Sequence, residues 1–408
     1  MRYCDLTLAY TATSGGIRTY IDAKRRYVQE QTNDEHVLII PGESDGRESH
    51  GRLTIRTLAG PLIPGCAPYR FFWQPLRLLE ALLEEQPDIV ELGTFFACPW
   101  AAFQYRGHRN DNEMRCLVSG YFHTDLADAY FGSPLREVLH DHLSQSSDLL
   151  TRWGLSLAEA AEFGAEKYFG AIFAKCDLVF AASPQQLTRL HHYLRDYDSD
   201  HTRLVPLGVD IDLFHPSRRS EEVRASLGAT PETVLLIYGG RLDSEKHVET
   251  LVEAFERLHP RLPQAMLLVT GEGALRKKLE DRSETLPGFL VRPYASSREE
   301  FATLLASSDL YVTAGPHETF GLSVIEAQAS GLPVVGVAAG ALRERVVPGT
   351  GYLVPVDDAD AMARQLKIAA QQRKEMSALA RQHVIQTGLD WNGTFRTLFA
   401  KYADAWEG

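Results

Sequence analysis

The most informative pattern for the fold of this chain is a repeated alternation of short apolar runs with longer segments of helical periodicity. The second half shows it most regularly, with apolar runs at 233–238, 265–270 and 289–291 separated by helical segments at 247–258 and 274–284. Such alternation is typical of parallel sheets whose strands are joined by helices. The sequence therefore predicts an α/β fold.

The alternation occurs as two successive series within 408 residues. A single hydrophobic core rarely grows beyond about 250–300 residues, and a (β/α)8 barrel of ordinary length would leave roughly 150 residues unassigned. We therefore expect two doubly wound, Rossmann-like domains, spanning 1–205 and 206–390, with a linker at 206–210. Beyond residue 351 the pattern predicts helices only, at 359–371, 373–386 and 391–406.

The other predicted strands are shorter apolar runs bounded by polar or turn residues. In the first half they lie at 6–10, 37–40, 88–92, 116–120, 177–181 and 203–206. In the second half they lie at 310–313 and 333–337, with a helix predicted at 320–330 between them. The ligand of such open sheets sits at the carboxyl ends of the strands.

Composition excludes several classes of protein. The net charge of −12 argues against sequence-independent nucleic-acid binding, which requires a basic surface. The five cysteines are dispersed without a CxxC pair, which favours reduced thiols in a cytoplasmic protein. The first residues are interrupted by charge too early for a signal peptide, and no apolar run reaches the ~20 residues of a spanning helix. We expect a soluble or peripheral protein.

A glycine pair, Gly15-Gly16, directly follows the first predicted strand and opens a helix. Glycines at this point let the backbone approach a ligand, and a helix N-terminus offers free N–H groups to an anion or a sugar hydroxyl. The spacing is not GxGxxG, so a nicotinamide site is unsupported. The alternative is a strand–helix turn that needs glycine only for tight packing.

Two cations, Arg241 and Lys246, follow the strand that ends at Tyr238. Both lie where the next helix starts, and this arrangement suits a diphosphate, which both the charges and the helix dipole attract. The alternative is a solvated loop in which an arginine pairs with a glutamate.

A third motif places Glu318 at the end of a strand and Glu326 eight residues later. Within the helix that follows, this spacing would put the two carboxylates just over two turns apart, near one face. Gly321-Leu322 supplies free N–H groups beside Glu318. Glu326 lies among apolar residues, where an unpaired charge is costly, so it needs a partner such as a ligand diol.

Taken together, Gly15-Gly16, the Gly-Gly-Arg-Leu-x-x-Glu-Lys segment at 239–246 and Glu-x7-Glu at 318–326 resemble glycosyltransferase family 4. The resemblance implies the GT-B architecture, with two domains facing a cleft, and transfer with retention of anomeric configuration. The C-terminal domain would bind the nucleotide sugar and the N-terminal domain the acceptor. The last helix would cross back onto the N-terminal domain.

The resemblance also assigns roles to single residues. Arg241 and Lys246 would bind the donor diphosphate, Glu318 the transferred sugar, and Glu326 the ribose hydroxyls. Donor binding would further involve Gly15, Gly16, Arg292, Phe320, Gly321 and Leu322. His123, after a predicted strand, would lie near the reacting face of the sugar and would complete a catalytic set with Glu318, Arg241 and Lys246. The alternative for His123 is a structural histidine at a strand end.

The segment 68–77 combines four aromatic residues with Arg70 and Arg77. It is either an aromatic cover over the N-terminal core or a contact with a membrane interface or a lipid acceptor, because aromatic rings and arginine suit the headgroup boundary.

These observations lead to one functional prediction and its rivals. We expect a retaining hexosyltransferase that moves glucose or mannose from a UDP- or GDP-sugar to a hydroxylated acceptor, such as a lipid or glycolipid. It would need no cofactor and no metal, because Arg241 and Lys246 supply two charges and the only DxD, at 210–212, falls in the linker. The rivals are a soluble sugar, sugar phosphate or osmolyte as acceptor, and a non-catalytic module that binds nucleotide sugars.

Overall fold

The computed structural model describes residues 1–11, 15–64, 67–123, 125–127 and 148–408, with the backbone only for 148–158. These residues divide into two compact units. The first comprises Met1–Pro206 and Phe395–Gly408, and the second comprises Leu207–Thr394. Each unit contains one sheet.

The first unit is built on an eight-stranded sheet of order β3-β4-β2-β1-β5-β6-β7-β8. All neighbouring strands are parallel except β3 and β4, which are antiparallel. The strands are β1 (Arg2–Leu6), β2 (Glu35–Gly42), β3 (Gly46–His50), β4 (Leu53–Ala59), β5 (Ile89–Leu92), β6 (Leu117–Phe122), β7 (Leu178–Ala181) and β8 (Thr202–Leu204). The connecting helices are α1 (Gly16–Gln31), α2 (Pro75–Glu85), α3 (Ala97–Asp111), α4 (Asp148–Phe173) and α5 (Pro184–Tyr193).

The second unit holds a six-stranded, fully parallel sheet of order β11-β10-β9-β12-β13-β14. The strands are β9 (Val234–Gly239), β10 (Ala265–Thr270), β11 (Phe289–Arg292), β12 (Leu310–Val312), β13 (Val334–Val337) and β14 (Gly351–Val354). The helices are α6 (Glu221–Ser226), α7 (Val248–Leu258), α8 (Arg276–Ser283), α9 (Arg298–Ala306), α10 (Leu322–Ala329), α11 (Leu342–Arg345) and α12 (Ala359–Gln386). The strand order reverses between β9 and β12, which is where ligands bind in such sheets.

Local sequence explains why these helices pack on their sheets. In α7, the apolar residues Val248, Leu251, Val252 and Phe255 follow the spacing of one helix face, and all are buried. The central strands β9 and β13 are buried except for Gly239 at the end of β9, as expected when helices cover both faces of a parallel sheet. The prediction of two doubly wound α/β domains is confirmed.

The last helix, α13 (Trp391–Glu407), places most of its length in the first unit. Phe395, Leu398 and Tyr402 are completely buried. Phe395 contacts Tyr27, and Phe399 stacks on the same ring at 5.5 Å between centroids. These apolar residues therefore form the face that joins this helix to α1.

The first strand was predicted wrongly at 6–10. It spans Arg2–Leu6 instead, because its pairing partner β5 ends at Leu92, opposite Leu6. The edge strand β3 and its neighbour β4 were not predicted at all. All five residues of β3 are exposed, so it has no apolar pattern to reveal it.

Two expectations for the C-terminal region were also wrong. Residues beyond 351 do not form helices only, since Gly351–Val354 is a strand paired with β13. The helices expected at 359–371 and 373–386 are one helix, Ala359–Gln386. The polar Gln371–Arg373 stretch contains no glycine or proline, so it does not interrupt the helix.

Candidate functional site

In the second unit, the loop after β9 carries the predicted pair of cations. It passes through a short 3-10 turn at Ser244–Lys246 and a left-handed residue, His247 (φ 48°), before α7 begins. The imidazole Nδ1 of His247 lies 2.6 Å from the Asp357 carboxylate. This loop leaves β9 next to the reversal point of the sheet, so its cations lie at the expected ligand position.

The structure brings two separate motifs together. The Lys246 ammonium lies 2.7 Å from Glu318 Oε1, although 72 residues separate them in the chain. Both side chains are largely buried, with 18% and 20% of their surface exposed. A carboxylate and an ammonium group therefore share one partly desolvated place at the end of the sheet.

Arg241 is more exposed and is held by its own loop. Its guanidinium donates to Asp243 Oδ2 at 2.9 Å and also pairs with Glu245. In the structure, Arg241 thus forms the Arg–Glu pair of the alternative interpretation. Such exposed pairs contribute little to stability, so Arg241 can exchange these partners for another anion at small cost.

The residues around Gly321 form the start of α10. Gly321 is the N-cap residue in a left-handed conformation (φ 80°), and no side chain caps the helix. Phe320 is buried beside it. The first N–H groups of α10 therefore have no side-chain acceptor and form the kind of terminus that binds anions.

The two glutamates of the third motif do not share a helix, contrary to the expectation. α10 begins at Leu322, so Glu318 belongs to the preceding loop, where its carbonyl oxygen accepts a hydrogen bond from Ala341 N. Glu326 is buried within α10, and its Oε1 accepts a hydrogen bond of 2.6 Å from Arg298. The partner that Glu326 was expected to need is therefore present as Arg298.

Arg292 ends β11, beside β10. It lines a surface cavity together with Val223, Glu300 and Thr303. In this arrangement its side chain faces α6 and α9.

In the first unit, Gly15 is the N-cap of α1 and Gly16 its first residue. A Cβ added to Gly15 would meet no atom of the described residues within 4 Å. Tight packing therefore does not explain Gly15. The preceding residues 12–14 lie outside the described part of the chain.

His123 directly follows β6 and is enclosed by two tyrosines. Its ring stacks on Tyr121, with 4.2 Å between centroids and 3° between planes, and meets the Tyr20 ring edge-on at 5.1 Å. Burial, assisted by the charge of Lys24, lowers the pKa of His123 to about 3. The imidazole is therefore neutral at physiological pH and can accept or donate one hydrogen bond.

A buried ionic cluster in the same unit was not anticipated. Lys24 Nζ lies 2.9 Å from Asp5 and 2.8 Å from Glu91, and Asp5 also lies 2.6 Å from His36 Nε2. All four side chains are at least nine-tenths buried. The available signal was a lysine within the apolar face of α1 and a carboxylate within each of two apolar strands.

The aromatic segment at 68–77 covers the core of the first unit only in part. Phe72 packs against the core of the first unit. Trp73 and Leu76, in contrast, are 60% and 64% exposed. Arg70 and Arg77 pair with Glu43 and Asp45.

Among the described residues, no group of three or more histidine, cysteine or acidic side chains could hold a metal ion. Asp210 of the linker DxD accepts a hydrogen bond from Leu213 N at 2.9 Å, as in a local turn. Within the same described ranges, no helix is both long and apolar enough to cross a bilayer. The four described cysteines are buried free thiols.

These two units define a GT-B-type glycosyltransferase fold. The chain matches, over 100% of its length, 99% of the solved chain of a sucrose-phosphate synthase from Thermosynechococcus elongatus, with a TM-score of 0.72 at 20% identity. At this identity the likeness concerns the fold alone.

Family models give the more specific assignment. Residues 14–213 match the model "Glycosyltransferase Family 4", and residues 219–383 match "Glycosyl transferases group 1". The chain belongs to the family-4 glycosyltransferases, as the resemblance predicted.

Two relatives are informative. A GDP-mannose-dependent alpha-(1-6)-phosphatidylinositol dimannoside mannosyltransferase of Mycobacterium tuberculosis is 42% identical over 154 residues, which cover 37% of this chain and 39% of that protein. A D-inositol 3-phosphate glycosyltransferase of Geodermatophilus obscurus is 29% identical over 259 residues, 58% of this chain and 54% of that protein. The chain thus aligns with little more than a third of the length of the first relative and about half of the second.

Proposed function

We propose that the protein is a retaining hexosyltransferase that uses a nucleoside-diphosphate sugar and needs no divalent metal. The observation that carries the proposal is the Lys246–Glu318 pair at 2.7 Å beside the uncapped start of α10. An ammonium group and free helix N–H groups suit a diphosphate, and a carboxylate suits sugar hydroxyls. Family membership and this arrangement support the same reaction.

In the proposed donor complex, Arg241 leaves Asp243 and Glu245 and joins Lys246 on the diphosphate. Gly321 and Leu322 offer backbone N–H groups, with Phe320 packed behind them, and Glu318 accepts hydrogen bonds from the hexose. Gly15, Gly16, Arg292 and Glu326 keep the donor-binding roles that the family resemblance gives them. For Glu326, this role requires that a ribose share the carboxylate with Arg298.

The proposed chemistry follows from the charges. The glycosidic bond to the diphosphate breaks, the acceptor oxygen bonds to the same face of the sugar carbon, and the departing phosphate takes the acceptor proton. Arg241 and Lys246 stabilise the negative charge that develops on the leaving diphosphate. His123 is neutral in the free protein, and we assign it a hydrogen bond to the donor sugar.

For the donor and acceptor, we propose GDP-mannose and an inositol-containing glycolipid. The 42% identity to a mannosyltransferase that acts on phosphatidylinositol dimannoside supports both choices. The exposed Trp73 and Leu76 suit contact with a lipid surface, which would make the protein peripheral at the cytoplasmic face of the membrane. A soluble inositol phosphate is the second candidate acceptor, because the second relative is named for that class.

The test begins with binding of GDP, UDP and ADP to the purified protein, measured by calorimetry. The preferred nucleotide then selects the radiolabelled sugar donor, and transfer is measured to vesicles that contain glycolipid and, separately, to inositol phosphate. We expect GDP to bind best and label to appear in the lipid. Binding of no nucleotide would refute the glycosyltransferase proposal, and label in the soluble product alone would favour the second acceptor.

Removal of either cation should separate function from folding. Arg241→Ala and Lys246→Met each lose charge-assisted hydrogen bonds to the donor, and turnover should fall by about two or more orders of magnitude. The control is Arg282→Ala, since Arg282 likewise pairs with an exposed carboxylate, that of Glu256. Circular dichroism should report the same fold for all three variants. Full activity in Arg241→Ala would remove Arg241 from the site.

A further inference from the structure

Arg345 is a buried cation without a carboxylate partner. It ends the short helix α11 and is 7% exposed. Among the described residues its side chain has one hydrogen bond, from Nε to the Phe320 carbonyl oxygen at 3.1 Å, and Nη2 is buried without an acceptor. A buried guanidinium with an unsatisfied donor is costly and calls for an explanation.

The side chain of Arg345 contacts the residues at the start of α10. Its guanidinium lies over the Phe320 ring at 4.1 Å from the centroid, and Phe320 immediately precedes the N-cap residue Gly321. A Cβ on Gly321 would lie 3.7 Å from Arg345 Cγ. Arg345 therefore packs directly behind the turn that presents the first N–H groups of α10.

The charges at this place do not balance. The N-terminus of a helix carries a partial positive charge, and Arg345 adds a full charge of the same sign beside it. No carboxylate of the described residues forms an ion pair with Arg345, whereas buried Arg224 in the same unit pairs with Asp309 at 3.0 Å. The neighbouring Glu344 carboxylate offsets this charge only from a distance, so positive charge predominates at this end of α10.

We propose that Arg345 is a positioning residue of the donor diphosphate site. It holds the Phe320–Gly321 turn so that the N–H groups of α10 face the diphosphate, and its buried charge adds to the positive potential that attracts this anion. This inference rests on the proposed function and extends it, since the family resemblance gave no role to Arg345.

The test compares nucleoside diphosphate with nucleoside monophosphate binding in Arg345→Gln. Loss of the charge should weaken diphosphate binding on the order of tenfold and monophosphate binding much less, so the ratio of the two dissociation constants should fall. Because Arg345 is unpaired, the Tm of the unliganded variant should stay within about 3 °C of the wild type. A merely structural arginine would show the reverse, with a lower Tm and an unchanged ratio.

Two further variants sharpen the result. Arg343 is an exposed arginine of the same short helix, and its Nε donates to Ala338 O. Arg343→Gln should leave the dissociation constants of both nucleotides unchanged. Arg345→Lys keeps the charge and should bind the diphosphate within about threefold of the wild type.

Each outcome has one meaning. An unchanged affinity ratio, an unfolded Arg345→Gln or a tenfold loss in Arg345→Lys would overturn the role of Arg345 while the proposed function stands. Failure of the wild type to bind any nucleotide would overturn both.

Discussion

At the scale of single residues, the surroundings of His123 determine its protonation state. The stacked Tyr121 ring and the edge of Tyr20 cover much of the partly exposed imidazole, and Lys24 opposes a second positive charge. A histidine whose pKa is about 3 cannot act as an acid–base group near neutrality. A hydrogen-bonding role is therefore the one that its environment permits.

The lowered pKa of His123 predicts how stability depends on pH. The pKa of a histidine in the unfolded chain is about 6.5. The contribution of neutral His123 to the free energy of unfolding is therefore complete above that pH, and it is lost as the pH falls towards the pKa of the folded state. When the pH is lowered from 7.5 to 5, the free energy of unfolding should fall more in the wild type than in His123→Asn. The difference between the two decreases should be up to about 2 kcal/mol.

Urea unfolding of both proteins at the two pH values measures this difference. His36, buried against Asp5, contributes a pH dependence of its own, but it is present in both proteins and cancels. The same pH dependence in the variant and the wild type would mean that the pKa of His123 is the same in the native and unfolded states.

At the scale of elements, the ionic cluster joins α1 and α13 to the first sheet. Lys24 of α1 bridges the carboxylates of Asp5 and Glu91, and Tyr402 of α13 donates to Glu91 at 2.5 Å. These groups are well paired, because each carboxylate oxygen of Asp5 and Glu91 has at least one hydrogen-bond partner. Loss of one member leaves buried charge behind.

Lys24→Met should therefore be strongly destabilising. It leaves two facing carboxylates without their cation, and we expect the free energy of unfolding to fall by about 3–5 kcal/mol. Lys401→Met is the control, since that lysine is partly exposed and pairs only with Asp404, and it should change stability by less than about 0.5 kcal/mol. Equal stabilities of the two variants, measured by urea unfolding, would show that Lys24 contributes no net attraction.

At the scale of the whole molecule, the proposed metal independence rests on the supply of charge. A diphosphate leaving group needs about two positive charges, which enzymes supply as a metal ion or as cationic side chains. In the proposed donor complex Arg241 and Lys246 would provide them, and α10 would add the partial charge of its N-terminus. The transfer rate should therefore survive exhaustive chelation.

The measurement compares the transfer rate after chelation with the rate after Mg2+ or Mn2+ is restored. We expect no more than a twofold difference, since two cations and a helix N-terminus already serve the diphosphate. Abolition of transfer by chelator and rescue by either metal would mean that the cationic side chains are insufficient.

The sequence alone predicted the fold class and marked the candidate site residues. Apolar periodicity reflects burial, and burial is similar in every parallel α/β sheet, so β10 was predicted at its observed bounds of Ala265–Thr270. Charge at a predicted strand end likewise marked Arg241, Lys246 and Glu318, because the carboxyl edge of such a sheet is where ligands bind. Exposed strands such as β3 have no such periodicity and were missed.

Which charged side chains pair with each other depends on the tertiary structure. Lys246 and Glu318, Arg298 and Glu326, and Lys24 and Glu91 are 72, 28 and 67 residues apart, so no local pattern joins them. Their pairing depends on strand order, on where α10 begins, and on which helix face is buried. Arg345 is the clearest case, because only the fold buries its guanidinium against the Phe320 ring.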